Sequence, residues 1–196
     1  MGERLVFQPL TTEDKITVVI YRIGIVLSTL IICGLAYIMA AGVDAKGRLL
    51  DVLGYSLQVS VGLCCLFIHL YVGIFKKYLR NVYFISFACF AVLLFLGKGS
   101  LSAALTEAQV RSVLLLPLVG CLGFVTAKEA FCFRLREGYL IAVLMPIYVL
   151  LIAGGIIGGQ AVVSGMVSIA ALLVFFTLRK AFMPLAYDIG DKTAYR

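Results

Sequence analysis

Between Gly138 and Leu178 the chain runs for 41 residues without a charged side chain. One bilayer crossing needs about 20 apolar residues, so this stretch holds two crossings joined by a turn that carries no charge. Of the 196 residues, 63% are hydrophobic and 14% charged, whereas soluble domains carry about 25% charged residues. No polar segment is long enough for a separate soluble domain, and residues 1–196 are predicted to form a single integral membrane domain.

Charges delimit the other apolar blocks: Ile23–Val43, Val52–Phe75, Asn81–Gly97 and Ser112–Ala127, with the 138–178 block dividing near Gly154–Gln160. The expected fold is an all-α, polytopic membrane helix bundle of six transmembrane helices. Its spans lie near 18–42, 50–75, 81–98, 108–133, 138–157 and 161–182, with tails 1–17 and 183–196. A closed β-barrel is excluded because the blocks are apolar throughout and do not alternate. Thr106-Glu-Ala-Gln109 reads as a capping box that starts span four near Glu107 and lets it run to about Phe133, with Arg111 and Lys128 snorkelling outward. Pro146 is expected to kink span five or mark a local break, and Pro184 to end helix six. Glu3, Glu13 and Asp14 spoil the basic region of a cleaved signal, so span one is expected to stay as an anchor.

Six spans put both tails on one side. That side, taken with the loops around Lys76–Arg80 and Lys128–Arg136, holds 13 of the 17 lysines and arginines; Lys46, Arg48, Lys98 and Arg111 fall on the other. The positive-inside rule then predicts an N-in/C-in protein of the cytoplasmic membrane, a thylakoid membrane being the alternative in a photosynthetic source. The net charge of +7 follows from this bias and points to anionic headgroups, not to nucleic acid.

All six cysteines (33, 64, 65, 89, 121 and 132) fall within or at the ends of spans, as apolar fillers and not as a disulfide framework. Gly154, Gly155, Gly158 and Gly159 make overlapping small-xxx-small pairs or, equally, a turn. Gly120, Gly123, Ala127 and Ala130 form a smooth stripe suited to close packing. Similar strings, Phe75-Lys-Lys-Tyr78, Lys128-Glu-Ala-Phe131 and Arg179-Lys-Ala-Phe182, are expected to end helices two, four and six. They suit a shared need for basic and aromatic residues at the inner interface better than a threefold repeat.

Helix two carries Gln58, Gly62, Cys65, His69 and Gly73 at steps of four and three, a polar or small face on an apolar helix. His69, the single histidine, is read as a hydrogen-bonded residue near the inner interface or as part of a path for protons or solutes. A metal site would need Cys65 as a second ligand, and neither metal nor cofactor is expected. Arg22 lies within span one, where a charge either snorkels or pairs; Glu129 is the foremost candidate partner, with Asp188 and Asp191 as alternatives. The tail Tyr187-Asp-Ile-Gly-Asp-Lys192 is either solvated or folds back on the basic inner face. Cys132, three residues after Glu129, shares its helix face but has no histidine base beside it. The chain contains no Walker A loop, His-Glu-x-x-His, paired intramembrane aspartates or Gly-x-Ser-x-Gly elbow.

Ile68-His-Leu-Tyr71, Lys128-Glu-Ala-Phe-Cys-Phe133, Arg179-Lys180 and Asp188-Ile-Gly-Asp-Lys192 give the chain a resemblance to a family of uncharacterised bacterial integral membrane proteins well represented in cyanobacteria. The resemblance runs from Tyr21-Arg22 to the tail. It supports the topology and marks residues to test, and it implies no mechanism. The function expected is that of a non-enzymatic subunit or assembly factor acting through its cytoplasmic face. Its partners would be membrane lipids and another membrane protein or a second copy of itself. The alternative is a small-solute transporter or channel built on the helix-two stripe. The candidate functional residues are Arg22, Gln58, His69, Lys128, Glu129, Cys132, Asp188 and Asp191.

Overall fold

A computed structural model describes residues 11–43, 47–70, 73–184 and 188. Among them are seven α-helices and no strands: α1 (Thr12–Ala41), α2 (Arg48–Phe67), α3 (Gly73–Leu96), the short α4 (Leu101–Glu107), α5 (Leu116–Phe133), α6 (Arg136–Ala153) and α7 (Gln160–Ala181). A 3-10 segment, Gln109–Leu115, leads into α5 and with it makes one 25-residue span. All but α4 are long and apolar enough to cross a bilayer.

Local chemistry sets several helix ends. Thr11 and Asp14 cap α1 reciprocally: Thr11 Oγ1 accepts from the Asp14 amide at 3.2 Å, and an Asp14 carboxylate oxygen accepts from the Thr11 amide at 2.9 Å. Gly42, at φ 62°, closes α1 in the left-handed region. Ser100, and not Thr106, caps α4; Thr106 lies inside α4 with its hydroxyl donating to the carbonyls of Ser102 and Ala103. The capping box expected at Thr106–Gln109 therefore does not form, and span four opens on the 3-10 turn instead. Gly154–Gly159 form the turn between α6 and α7, so their role is connection and not helix packing. The Ala181 end of α7 precedes Pro184 by three residues, and α6 runs continuously through Pro146.

Helix two is shorter than its apolar block. The chain turns extended at Ile68 (ψ 135°), and α3 begins at Gly73. No proline or glycine lies between Leu63 and Val72 to mark the break; its stabilising contact is tertiary, from His69 Nε2 to Thr17 Oγ1 of α1 at 3.2 Å. Phe75–Tyr78 accordingly opens α3 instead of ending α2, and the likeness to the helix-ending strings at Lys128 and Arg179 does not extend to it.

The six long helices form a ring in the order α1, α7, α6, α5, α3, α2, with α2 also touching α5 and α4 wedged against α2 and α3. Close approach is made by small residues. A Cβ on Gly24 of α1 would lie 2.8 Å from Cys64 Sγ on α2, and one on Gly123 of α5 would lie 3.3 Å from the Ala142 backbone on α6. Gly120, counted in the same stripe, faces open space. The outer surface carries exposed Leu30, Val59, Phe84, Phe95 and Ile147, an apolar belt that suits lipid and would be a liability in water. All six cysteines are free, with Cys64, Cys65 and Cys121 in the core.

Candidate functional site

At the end of the ring where α1 begins and α7 finishes, five charged side chains meet. Lys180 lies on the face of α7 that carries Ile169, Leu173 and Phe176, so the helix period turns it into the core, where it is 1% exposed. Glu129 lies on the buried face of α5 with Leu122, Val125 and Thr126 and is 0% exposed. Its Oε1 accepts from Tyr21 of α1 at 2.6 Å and from Lys128 at 2.7 Å. Its Oε2 faces Lys180 as an ion pair.

Lys180 in turn reaches Asp188, beyond α7, and stands 3.8 Å from the centre of the Phe133 ring. Arg22 completes the chain of pairs. Its Nε donates to Asp188 Oδ2 at 2.7 Å, and Nη1 and Nη2 donate to the carbonyls of Met183 and Pro184 at 2.5 and 3.0 Å. The order of contacts is thus Arg22, Asp188, Lys180, Glu129, Lys128, with Tyr21 alongside. Three cations face two carboxylates, leaving one excess positive charge.

Buried charges are tolerated when paired and hydrogen-bonded, and every member of this set is. The arrangement ties α1, α5, α7 and Asp188 into one unit. It offers no unpaired base, no nucleophile beside a base and no open coordination position. No group of three metal-ligating side chains occurs among the described residues. A second ion pair flanks the first: Arg179 Nη1 lies 2.8 and 2.9 Å from the two oxygens of Glu137 at the start of α6.

Several placements differ from the sequence reading. Arg22 pairs with Asp188, not Glu129, because Glu129 is already held by Tyr21, Lys128 and Lys180. Lys128 does not snorkel outward: it bends back to Glu129 and over the Tyr21 ring at 5.4 Å. Cys132 lies exposed at the end of α5, whereas Glu129 one turn earlier is buried. His69 is not on helix two but in the connection after it, and Gly73 belongs to α3, so the five-residue polar stripe breaks after Cys65.

The remaining part of that stripe is covered by α3. Gln58 Nε2 donates to Ser86 Oγ at 3.0 Å, and Tyr83 donates to the Gln58 carbonyl at 3.2 Å. The Tyr83 ring fills the space a side chain at Gly62 would need. These residues hold two helices together. Burial and the positive charges of Lys128 and Lys76 lower the His69 pKa, and its Nδ1 is buried without a hydrogen-bond partner among the described residues. Asp191 lies outside the described residues, as do Tyr71 and Lys192 of the quoted strings.

Sequence reasoning missed Tyr21 and Lys180 as members of the network. For Lys180 a signal was present: the 4-3-4 spacing of Ile169, Leu173, Phe176 and Lys180 continues a core face. Tyr21 carries a similar one, on a face spaced 3-4-3-4 with Val18, Ile25, Ser28 and Ile32.

Over residues 61–196 the chain matches the family described as an uncharacterized integral membrane protein (DUF2301), and it belongs to that family. It is also similar, at 26% identity over 198 residues, to an uncharacterized protein of Haemophilus influenzae; the match covers 100% of this chain and 99% of that one. No solved structure matches it.

Proposed function

We propose that this multi-pass protein is a non-enzymatic interaction or assembly factor that engages another membrane protein through its network end. The observation that carries the reading is the pairing of Asp188 with both Arg22 and Lys180. Asp188 is thereby held against the bundle and buried, not solvated. At the same end of the bundle, Phe131 and Phe182 are exposed, at 79% and 87%, as are Arg134 and Arg136. Aromatic and arginine side chains of this kind are enriched at interfaces between proteins. The internal pairing of Glu129 and Lys180 argues against a catalytic role for them.

In the same proposal the network end faces the cytoplasm and the membrane is the cytoplasmic one. The bias of 13 to four in basic residues and the excess positive charge of the network support that orientation. Native mass spectrometry of the protein, extracted in mild detergent from its own membrane, tests the function. A stoichiometric protein partner is expected with the wild type and is expected to be lost in Asp188→Asn while the bundle stays folded. A partner retained at full occupancy in Asp188→Asn counts against the network end as the docking element. A lone monomer would remove the reading altogether.

A further inference from the structure

The end of the ring away from the charged network holds a partly open cavity of about 480 Å³. Membrane helices gain their stability from close packing of side chains, and protein interiors leave few voids larger than a water molecule. An apolar cavity of about 150 Å³ already takes a benzene molecule and stays dry, and small-molecule sites run from about 300 to 1,000 Å³. This cavity falls in that range. It is bounded by residues from all six long helices, including Ile32, Leu57, Phe90, Leu118, Met145 and Ile169. No Lys, Arg, Asp or Glu lines it.

Apart from Tyr148, whose hydroxyl donates to the Val162 carbonyl at 2.8 Å, its polar side chains lie on one wall. Ser102, Thr106, Gln109 and Ser112 are the lining residues from α4 and the 3-10 segment with polar side chains. The Thr106 and Ser112 hydroxyls donate to backbone carbonyls of their own segment. The side-chain amide of Gln109 has no partner among the described residues and stands exposed at that wall. We infer that the cavity is a binding site for a single hydrocarbon chain of an amphiphile, the chain lying among Leu118, Met145 and Ile169 and its ester or carboxyl end hydrogen-bonding to Gln109. A chain without charge matches the lining, and one polar terminus matches the one polar wall. Two sources share this chemistry, a membrane phospholipid and a free fatty acid.

Photolabelling of the full chain tests the site. The protein is reconstituted in phosphatidylcholine vesicles that contain either phosphatidylcholine with a diazirine at the end of one acyl chain or free palmitic acid with the same group. Labelled residues are then mapped by mass spectrometry. Label on Leu118, Met145 or Ile169, which are buried from surrounding lipid, is the expected result. The arm that gives it identifies the source. Label confined in both arms to lipid-facing residues such as Phe95 and Ile147 overturns the proposal. Val149→Trp, which places an indole in the cavity wall, is expected to reduce the cavity label about tenfold and leave the label at Phe95 unchanged. Cavity label that persists in a Val149→Trp protein of unchanged thermal midpoint also overturns it. Should that variant not fold, the wild-type map alone decides.

Discussion

Lys180 shows what a charged residue must find when a helix turns it into the core: two carboxylates and an aromatic face, from α5 and from Asp188 beyond α7. Removing one partner from a buried pair costs about 3–5 kcal/mol because the remaining charge is left uncompensated. Glu129→Gln leaves Lys128 without its carboxylate and Lys180 with Asp188 alone, and we expect it to lower stability by about that amount in thermal unfolding. Replacing both ends of a pair is far milder, so Glu129→Gln/Lys180→Met should be more stable than Glu129→Gln alone, a coupling that a double-mutant cycle reads directly. A double variant less stable than the single one would mean that the pair of Lys180 with Asp188 outweighs the one with Glu129.

His69 gives a pH dependence of definite sign. Its folded pKa is lowered, chiefly by burial, so the folded protein resists protonation more than the unfolded chain does. The stability from keeping it neutral is present above the unfolded value of about 6.5 and is lost as pH falls through the folded one. The thermal midpoint should therefore drop more between pH 7.5 and 5.5 in the wild type than in His69→Gln, and equal drops would remove His69 from the account. At this scale the sequence showed which residues are unusual, Arg22, Glu129 and Asp188 among them. It did not show who pairs with whom, because that depends on which helices are neighbours around the ring.

The helices themselves were legible wherever their boundary chemistry is local. The uncharged block from Gly138 to Leu178 divides at its glycines because Gly155 and Gly159 adopt positive φ, at 65° and 52°. The end of α2 was not legible, since Leu63–Val72 contains no breaker and the contact that holds the break comes from Thr17, 52 residues earlier in the chain. Nor was the start of span four, where Thr106 and Gln109 have the right spacing for a capping box but Ser100 already caps a short helix ahead of them. Besides Gly123, the hairpin of α5 and α6 has a second close approach, at Gly138, that can be tested. A Cβ on Gly138 would stand 2.5 Å from the Thr126 carbonyl and 2.9 Å from the Ala130 Cβ, with backbone on one side that cannot give way. Gly138→Ala should destabilise the protein by about 1–3 kcal/mol through overpacking, although alanine is the better helix former. A gain in thermal midpoint would show that α5 and α6 separate more readily than this contact implies.

An even number of crossings brings the start of α1 and the end of α7 to the same side of the membrane, and the clamp of Arg22 on Met183, Pro184 and Asp188 is the direct consequence of that count. The two ends of the molecule are unlike. One is closed by paired charges and ringed by basic and aromatic residues; the other holds the apolar cavity and carries four of the 17 basic residues in its loops. Basic loops resist translocation, and their bias over several short segments sets which end stays inside. Fusions report on this, because alkaline phosphatase needs disulfides and so folds only in an oxidising compartment, whereas a green fluorescent reporter folds in the cytoplasm. Alkaline phosphatase joined after Arg196 should be inactive, and the fluorescent reporter joined there should be bright. Moved to the turn at Gly97–Gly99, between α3 and α4, the two reporters should exchange outcomes. If activity instead appears at the C-terminus, the charged network faces outward, and a cytoplasmic partner for Asp188 and its neighbours is ruled out together with the orientation.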